Sequence, residues 1–250
     1  MPDISSWVVF VFFFIALFYS MVGLGGGSSY LAILALAGLP YQNIAPLALG
    51  CNLIVAIGGS WHFTRAGYFK ARNILPFVVS SIPMAYLGGR IFISKELFSF
   101  LLGLSLLAAA IRMVPPERAF ERGMDIPWKE AWHVGCPLGA LLGFLAGLVG
   151  IGGGIFLAPL LLLMGWGNAK EAACASSFFI MVNSASGLLG QFHKVGFDFQ
   201  YLLPLGVAVL VGGQMGTRIG VDYMPKVWLQ QAMAVFILSV AIKLIWGTFA

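Results

Sequence analysis

Three consecutive glycines occur twice in this sequence, at Gly25 to Gly27 and at Gly152 to Gly154. Each glycine costs a helix about 1 kcal/mol relative to alanine, so the triplets predict interrupted helices. The residues that follow would open a new helix, whose first N–H groups lack intrahelical partners and, with the positive end of the helix dipole, can hold an anion. Ser28 and Ser29 add hydroxyl donors after the first triplet, whereas apolar residues follow the second.

Close packing of transmembrane helices is the alternative role for these glycines, because small residues let two backbones approach each other. The chain has 32 glycines, and we expect most of them to serve packing. The triplet, however, is duplicated and each time precedes a short apolar piece. Transporters place substrates at interrupted helices near the membrane midplane, so this pattern favours a ligand site.

Polar side chains within the apolar runs are the other candidates for substrate contact, because buried polar groups in lipid are costly without partners. They are Asn52, Ser176, Ser177, Asn183, Ser184, Ser186 and Gln214. We predict that Asn52, the pair Ser176 and Ser177, and Asn183 donate hydrogen bonds to substrate oxygens. Hydrogen bonding between helices is the alternative for each of them.

Four basic residues at predicted helix ends, Arg65, Arg90, Lys194 and Arg218, could draw anions toward a vestibule. Retention of the adjoining loops in the cytoplasm or contact with lipid headgroups is the alternative, and we favour it for each of them. The nine acidic residues all fall in predicted loops or at helix ends, so the proton relay of many carriers is missing from the membrane interior.

Catalytic and metal-binding patterns are missing from the sequence. The three cysteines, Cys51, Cys136 and Cys174, form no CxxC pair, and no HExxH or GxSxG occurs. We therefore predict no metal, no cofactor and no enzymatic activity. A thiol-dependent sulfur carrier that uses Cys51 or Cys174 remains a minor alternative.

The composition places the chain in a membrane. Of its 250 residues, 60% are hydrophobic and only 9% are charged, far below a soluble domain. Apolar stretches long enough to span the bilayer are Ser5 to Val22, Asn73 to Phe92, Leu97 to Val114, Ala131 to Val149, Gln200 to Gly220 and Val227 to Gly247. Their continuous apolarity predicts helices, and the excess of basic residues is expected in membrane loops rather than on a nucleic-acid surface.

An internal repeat divides the chain. GLGGG at residues 23–27 returns as GIGGG at residues 150–154, an offset of 127, and three further landmarks follow in the same order. We predict an N-terminal repeat (residues 1–114), a polar, cytoplasmic linker (115–130) and a C-terminal repeat (131–250). Each half is expected to contain a long helix, the triplet, a twelve-residue piece (Ser28 to Leu39; Ile155 to Trp166) and three further long helices.

The topology of the repeat depends on the short pieces, which at about 18 Å are too short to span about 30 Å of hydrocarbon. Counted as crossings, they give five segments per half in inverted orientation; counted as re-entrant, they give four in parallel. Inversion places ten basic residues in the cytoplasm and four elsewhere, against nine and five for the parallel arrangement. We predict an all-helical protein of eight to ten membrane segments with inverted repeats.

Three features occur in both halves: the G-[LI]-GGG phrase, a small polar stretch some twenty residues further on, and a basic residue before a glycine. In these features the sequence resembles the sulfite exporter TauE/SafE family, also called 4-toluene sulfonate uptake permeases. This resemblance implies a multi-pass carrier of the cell inner membrane for sulfite, sulfonates or related organosulfur anions. Here Cys51 and Asn52 stand where the family pattern has a Thr-Ser-like pair. The cargo, the direction, the coupling ion and the oligomeric state stay open, and a passive anion channel is the alternative.

Overall fold

The described residues of this chain form α-helices and contain no strand, which confirms the predicted all-helical class. The computed structural model describes residues 6–39, 41–91, 127–192 and 199–225, together with the isolated positions 228, 231, 235 and 238. Its helices are α1 (Ser6–Met21), α2 (Gly27–Leu36), α3 (Tyr41–Arg65), α4 (Ala71–Arg90), α5 (Trp128–Val149), α6 (Gly154–Leu163), α7 (Ala169–Phe192) and α8 (Phe199–Arg218). A π-helical turn, Ile219–Tyr223, continues α8.

Four helical segments in the described ranges are long and apolar enough to cross a membrane: Asn43–Arg65, Trp128–Val149, Ala169–Phe192 and Gln200–Tyr223. With 22 to 24 residues each, they exceed the roughly 30 Å of hydrocarbon at about 1.5 Å per residue. Helices α2 and α6 have 10 residues each and reach only about 15 Å. The predicted stretch at 97–114, and that at 227–247 apart from four positions, lie outside the described residues.

The glycine triplets interrupt the helices because their backbone enters a region that other residues avoid. Gly26 has φ +87°, and Gly152 and Gly153 have φ +79° and +77°. L-residues pay steric energy there, whereas glycine does not. The chain therefore leaves one helix and starts another within a few residues, and the short helices begin at the last glycine of each triplet.

Helices α4 and α5 pack backbone to backbone along a stripe of glycines on α5. The stripe consists of Gly135, Gly139, Gly143 and Gly147, which face Pro76, Phe77, Ser81 and Ala85 of α4 in the same order. The residue numbers increase together along both helices, so α4 and α5 run in the same direction. The predicted packing role of most glycines is confirmed for this stripe.

Helices α1 and α8 form a second glycine-lined pair. Gly212, Gly216 and Gly220 lie against the backbone of Phe13, Leu17 and Met21, respectively. This pair also runs in one direction, and like the first pair it joins an early helix of the chain to a late one.

Helices α3 and α7 cross between these pairs in opposite directions. Gly59 lies against Ser177, whereas Leu49, earlier in α3, lies against Gly187, later in α7. Side chains along the whole of α7 are buried, among them Ala173, Asn183 and Gly190. The buried core of the described molecule is therefore centred on α7 and α3.

Polar contacts gather at the end of the bundle where α3 finishes and α4 and α7 begin. Lys70 forms a 2.9 Å salt bridge with Glu171, and Lys170 donates to the Val221 carbonyl at 2.6 Å. Asn168 caps α7: its Oδ1 accepts from the Lys170 and Glu171 N–H groups at 3.0 and 3.2 Å, and its own N–H donates to Glu171 at 3.0 Å. This reciprocal pattern is a capping box.

Candidate functional site

The two glycine triplets, far apart in sequence, lie side by side in the structure. A methyl group added at Gly27 would lie 2.8 Å from the Ile151 carbonyl oxygen, at the edge of the second triplet. The side chains of Asn52 and Ile180 lie against glycines of both triplets. Each is the twelfth residue of its helix, α3 of 25 residues and α7 of 24, so the triplets meet about halfway through the bundle.

Asn52 joins the first half of the chain to the second triplet. Its Nδ2 donates a 2.9 Å hydrogen bond to the Ile151 carbonyl, and the side chain is only 1% exposed. Its Oδ1 faces Gly25 and has no hydrogen-bond partner among the described residues. One predicted contact residue is thus placed between the triplets, with one of its two N–H donors bonded to Ile151 and its oxygen unpaired.

Two serine hydroxyls of α7 also lack partners in the described part of the chain, those of Ser176 and Ser184. Both side chains are fully buried, and a methyl group at Gly152 would lie 2.7 Å from the Ser184 Oγ. Serines in helices often bond the carbonyl of the preceding turn, as Ser81 does to Val78 at 3.0 Å. A buried hydroxyl left unpaired costs about 1–3 kcal/mol, so these two are available to a ligand.

Two other predicted contact residues use their donors within the protein. The Ser177 hydroxyl donates to the Gly23 carbonyl at 3.0 Å, and the Asn183 Nδ2 donates to the Phe179 carbonyl at 2.8 Å. These bonds correspond to the alternative role, helix pairing and local bonding, rather than to a free donor. Asn183 Oδ1, like that of Asn52, has no partner among the described atoms.

Ser28 and Ser29 open α2 beside Tyr19 of α1. The Ser29 Oγ lies 2.9 Å from the Tyr19 hydroxyl, and both serines are half-buried. The first hydrogen bonds into α2 run from the Ser29 and Tyr30 N–H groups to Gly26, each at 3.0 Å. The Gly27 and Ser28 N–H groups precede this ladder, as at any helix start. Sequence reasoning missed Tyr19, whose position inside an aromatic-rich run gives no signal of a polar role.

The second triplet opens α6 without such hydroxyls. Gly153 precedes the helix in the left-handed conformation and provides no side-chain cap. Ile155 and Phe156, which follow, are both buried in the larger apolar cluster. The start of α6 thus offers backbone N–H groups and the helix dipole, with Ser184 of α7 as a neighbouring polar side chain.

The predicted vestibule residues are exposed at the ends of helices. Arg65 and Arg218 end α3 and α8, which run in one direction, and Arg90 ends α4 at the opposite side, 5.6 Å above the Tyr86 ring. Lys194 lies outside the described residues. None of the three described arginines lies near the triplets, so a role in drawing anions would be electrostatic and long-range.

The two cysteines that could relay sulfur lie in different surroundings. Cys51 is fully buried beside Asn52, and the Cys174 Sγ lies 3.8 Å from the Thr64 hydroxyl. His62 pairs with Gln214 across α3 and α8 at 2.8 Å. Among the described residues, no group of three metal-binding side chains comes together.

Comparison with known proteins identifies the family. The sequence profile of the family described as "Sulfite exporter TauE/SafE" matches residues 8–244. The chain belongs to this family. The resemblance carried by the duplicated triplet is thereby confirmed, and the TauE/SafE match extends over almost every helix described above.

Curated relatives of this TauE/SafE protein are named as probable membrane transporters. The "Probable membrane transporter protein y4hK" of Sinorhizobium fredii is 34% identical over 236 residues, which cover 94% of this chain and 96% of that protein. The "Probable membrane transporter protein YunE" of Bacillus subtilis is 28% identical over an alignment of 258 residues, which covers 92% of this chain and 94% of that protein. No solved structure gives a significant match. Membership in a family of probable membrane transporters favours transport over catalysis.

Proposed function

We propose that this protein is a carrier for a small anion, namely sulfite, a sulfonate or a related organosulfur anion, and that it binds the anion between the two glycine triplets near the middle of the membrane. The observation that carries this proposal is the meeting of both triplets at Asn52, halfway along α3. Two half-helices start there, and buried hydroxyls and amide oxygens beside them have no partner in the described chain. Helix starts and hydroxyls are suited to oxyanions.

Reciprocal contacts support an origin of the site in two related halves. Gly23 lies against Ala173, and Gly150 lies against Ala45. Gly150 follows Gly23 by 127 residues and Ala173 follows Ala45 by 128 residues, so each contact is the other with the two halves exchanged. Gly59 against Ser177 and Leu49 against Gly187 form the same kind of exchanged pair. Exchanged contacts of this kind are expected of two repeats related by a pseudo-two-fold axis.

The same offset corrects the pairing of the two half-sites. Asn52 and Ile180 are 128 residues apart, and both lie against Gly25 and Gly152. Ile180, rather than Ser177, is therefore the counterpart of Asn52. An alignment of the two halves by polar residue type would pair Asn52 with Ser177, whereas the contacts pair this polar side chain with an apolar one. An anion bound here has the Asn52 amide on one side and the apolar sec-butyl side chain of Ile180 on the other.

Helix directions support inverted rather than parallel repeats. Helices α1 and α8 run together, α4 and α5 run together, and α3 runs against α7. In this arrangement the corresponding helices of the two halves point in opposite directions. The shared direction of α4 and α5 is the one that the five-plus-five topology predicts for them. The domain limits at residues 114 and 131 remain a prediction, although α5 already begins at Trp128.

The charge distribution supports placing one end of the bundle in the cytoplasm. Arg65, Lys70, Arg72, Lys129, Lys170 and Arg218 belong to loops and helix ends on the side where α3 ends and α4, α5 and α7 begin. Among the described residues, Arg90 is the basic residue at the other side. We place the basic end of the bundle on the cytoplasmic side of an inner membrane, since positively charged loops are retained in the cytoplasm.

A thermal-shift screen of the purified protein tests the proposed substrate class. A ligand that binds only the folded state stabilises it by about 2.7 kcal/mol at a hundredfold excess over Kd. We expect sulfite or a sulfonate to raise the Tm above that in sodium chloride of equal ionic strength, and acetate to raise it less. If chloride, acetate and every sulfur anion give the same Tm, the proposed ligand class is wrong.

A passive anion channel is the second candidate. The observation in its favour is that every Asp and Glu of the described helices lies in a first turn or in the short segment after α8, with Glu171 paired to Lys70. A carrier coupled through a buried carboxylate is therefore not supported in this part of the chain. Flux measurements separate the two: a carrier saturates and exchanges its substrate across the membrane, whereas a channel does neither at low anion concentrations.

A further inference from the structure

We infer that the bound substrate is a monoanion that still carries one acidic hydroxyl group, as hydrogensulfite does, and that the Asn52 oxygen accepts a hydrogen bond from this hydroxyl. The inference rests on the proposed function, because it names the protonation state of the anion in the same site. It separates hydrogensulfite from the doubly charged sulfite ion and from sulfonates, none of whose oxygens carries a proton at neutral pH.

The orientation of the Asn52 amide is fixed by its neighbour. The Ile151 carbonyl can only accept a hydrogen bond, so the Asn52 nitrogen must be the atom that faces it at 2.9 Å. The Asn52 oxygen is then directed to Gly25, where an added methyl group would lie 2.5 Å away from it. This oxygen is buried and unpaired among the described residues. Exchanging the two amide atoms by rotation would place two oxygens against each other at Ile151, so the oxygen keeps its direction while the second N–H of Nδ2 stays free to donate.

An unpaired acceptor is a poor neighbour for an ordinary anion, whose oxygens are also acceptors. A fully ionised oxyanion facing the Asn52 oxygen would leave both groups without a hydrogen and add electrostatic repulsion. An anion with one hydroxyl removes this conflict, because its O–H donates to Asn52 while its other oxygens accept. The Ser184 hydroxyl can supply one of the complementary donors.

Ser184 and Asn52 adjoin the same glycine. A methyl group at Gly152 would lie 2.7 Å from the Ser184 Oγ and 3.2 Å from the Asn52 Nδ2. The described site thus combines an unpaired acceptor, an unpaired hydroxyl and two helix starts within one buried region. That combination matches a ligand with one donor and several acceptors better than a ligand with acceptors alone.

The charged groups of the packed helices lie too far away to provide the proton at this point. In the described helices every Lys, Arg, Asp and Glu belongs to a first or last turn or to the turn after α8, and His62 belongs to the last turn of α3. The titratable side chains near the triplets on the packed helices are Tyr19, Tyr30, Cys51 and Cys174, which are uncharged at neutral pH in their ordinary state. Within the described part of the chain no charged group lies at the triplets, so we expect the proton to travel on the substrate, one for each anion carried.

Ligand titrations at several pH values test this inference. The pH values lie on both sides of the second pKa of sulfurous acid, which is near neutrality. The purified full-length protein is titrated with sodium sulfite and with sodium methanesulfonate, and Kd is taken from the concentration dependence of Tm at each pH. We expect the Kd for total sulfite to rise by about tenfold per pH unit above that pKa. Methanesulfonate should bind at least about tenfold more weakly than hydrogensulfite, with a Kd that does not follow pH.

Asn52→Leu and Asn73→Leu form a matched pair of variants. Asn73 is also buried and also donates from its Nδ2 to a carbonyl of the second half, that of Trp166, but it lies at the start of α4, away from the triplets. Asn52→Leu should lose the preference for sulfite over methanesulfonate and the pH dependence of Kd, whereas Asn73→Leu should retain both.

The possible results distinguish a failure of this inference from a failure of the proposed function. Equal binding of the two wild-type ligands, or a sulfite Kd that is constant or falls as pH rises, overturns the inference and leaves the proposed function standing. Retention of preference and pH dependence by Asn52→Leu also overturns it. If no sulfur anion binds at any pH, the proposed function itself fails. If Asn52→Leu yields no folded protein, the wild-type pH series decides.

Discussion

Replacing Gly27 by alanine perturbs the junction of the two triplets at a single point. Gly27 is the first residue of α2 and, unlike Gly26, does not have a left-handed backbone, so alanine fits its conformation. The added methyl group would instead collide with the Asn52 amide and lie 2.8 Å from the Ile151 carbonyl oxygen. These are the two partners of the hydrogen bond that joins the halves, and they must separate to make room.

The expected magnitude follows from these contacts. Overpacking costs about 1–3 kcal/mol, and the lost Asn52 hydrogen bond costs about 1 kcal/mol more. A perturbation of about 2–4 kcal/mol at the site corresponds to about 30- to 700-fold in affinity, at 1.4 kcal/mol per factor of ten. The higher helix propensity of alanine offsets part of the global cost, by up to about 1 kcal/mol. We therefore expect a large loss of anion affinity and a net stability cost of about 1–4 kcal/mol, which at about 2–4 °C per kcal/mol lowers Tm without abolishing the fold.

The assay compares Gly27→Ala with Gly206→Ala. A methyl group at Gly206, inside α8, would meet only the end of the Ile54 side chain among the described atoms, at 3.1 Å. Both variants are purified, checked for a cooperative melting transition and titrated with the sulfur anion that stabilises the wild-type protein. The reasoning is refuted if folded Gly27→Ala binds this anion as tightly as Gly206→Ala does.

Three further predictions address the scaffold and the cysteines. Asn168→Ala removes the cap of α7 and should cost about 1 kcal/mol, or about 2–4 °C in Tm for a chain of this size; an unchanged Tm would contradict the capping role. Gly143→Val should push α4 away from α5, so it should lower Tm far more than Leu141→Val, which changes the exposed face of the same helix. Equal Tm values for the two variants would show that the glycine stripe does not determine this packing. The Cys51→Ala, Cys174→Ala double variant should transport at the wild-type rate in proteoliposomes, because both thiols are buried side chains that the proposed site does not use; loss of flux from folded protein would support the thiol relay.

Several features of this fold could be predicted from the sequence because they depend on local properties. Glycine triplets break helices wherever they stand, and α2 and α6 begin at Gly27 and Gly154 as expected, although each is shorter than the twelve-residue piece predicted. The glycine stripe of α5 could also have been recognised in the sequence, since a glycine recurs at every fourth residue from Gly135 to Gly147. Without a known partner, however, the stripe does not reveal that α4 is the helix it packs against.

The side chains around the triplets were harder to predict because tertiary contacts decide their roles. Asn52 was predicted to contact the substrate, which stays a prediction; the structure places it between the triplets, and its use as a donor to Ile151 depends on a loop 99 residues away. Ile180 went unnoticed because an apolar residue in an apolar helix carries no signal. Ser184 was recognised as a buried polar residue but was not chosen, since only the contact with Gly152 distinguishes it from Ser186, which bonds to Ile82 at 2.6 Å.

Counterflow in proteoliposomes tests the transport proposal most directly. Vesicles that contain the purified protein are loaded with unlabelled sulfite, diluted, and exposed to a trace of radiolabelled sulfite. The proposal predicts transient accumulation of label above equilibrium, saturable with sulfite concentration and abolished in Gly27→Ala but not in Gly206→Ala. Entry of label that never exceeds equilibrium and does not depend on internal sulfite would contradict a carrier and establish a passive pathway instead.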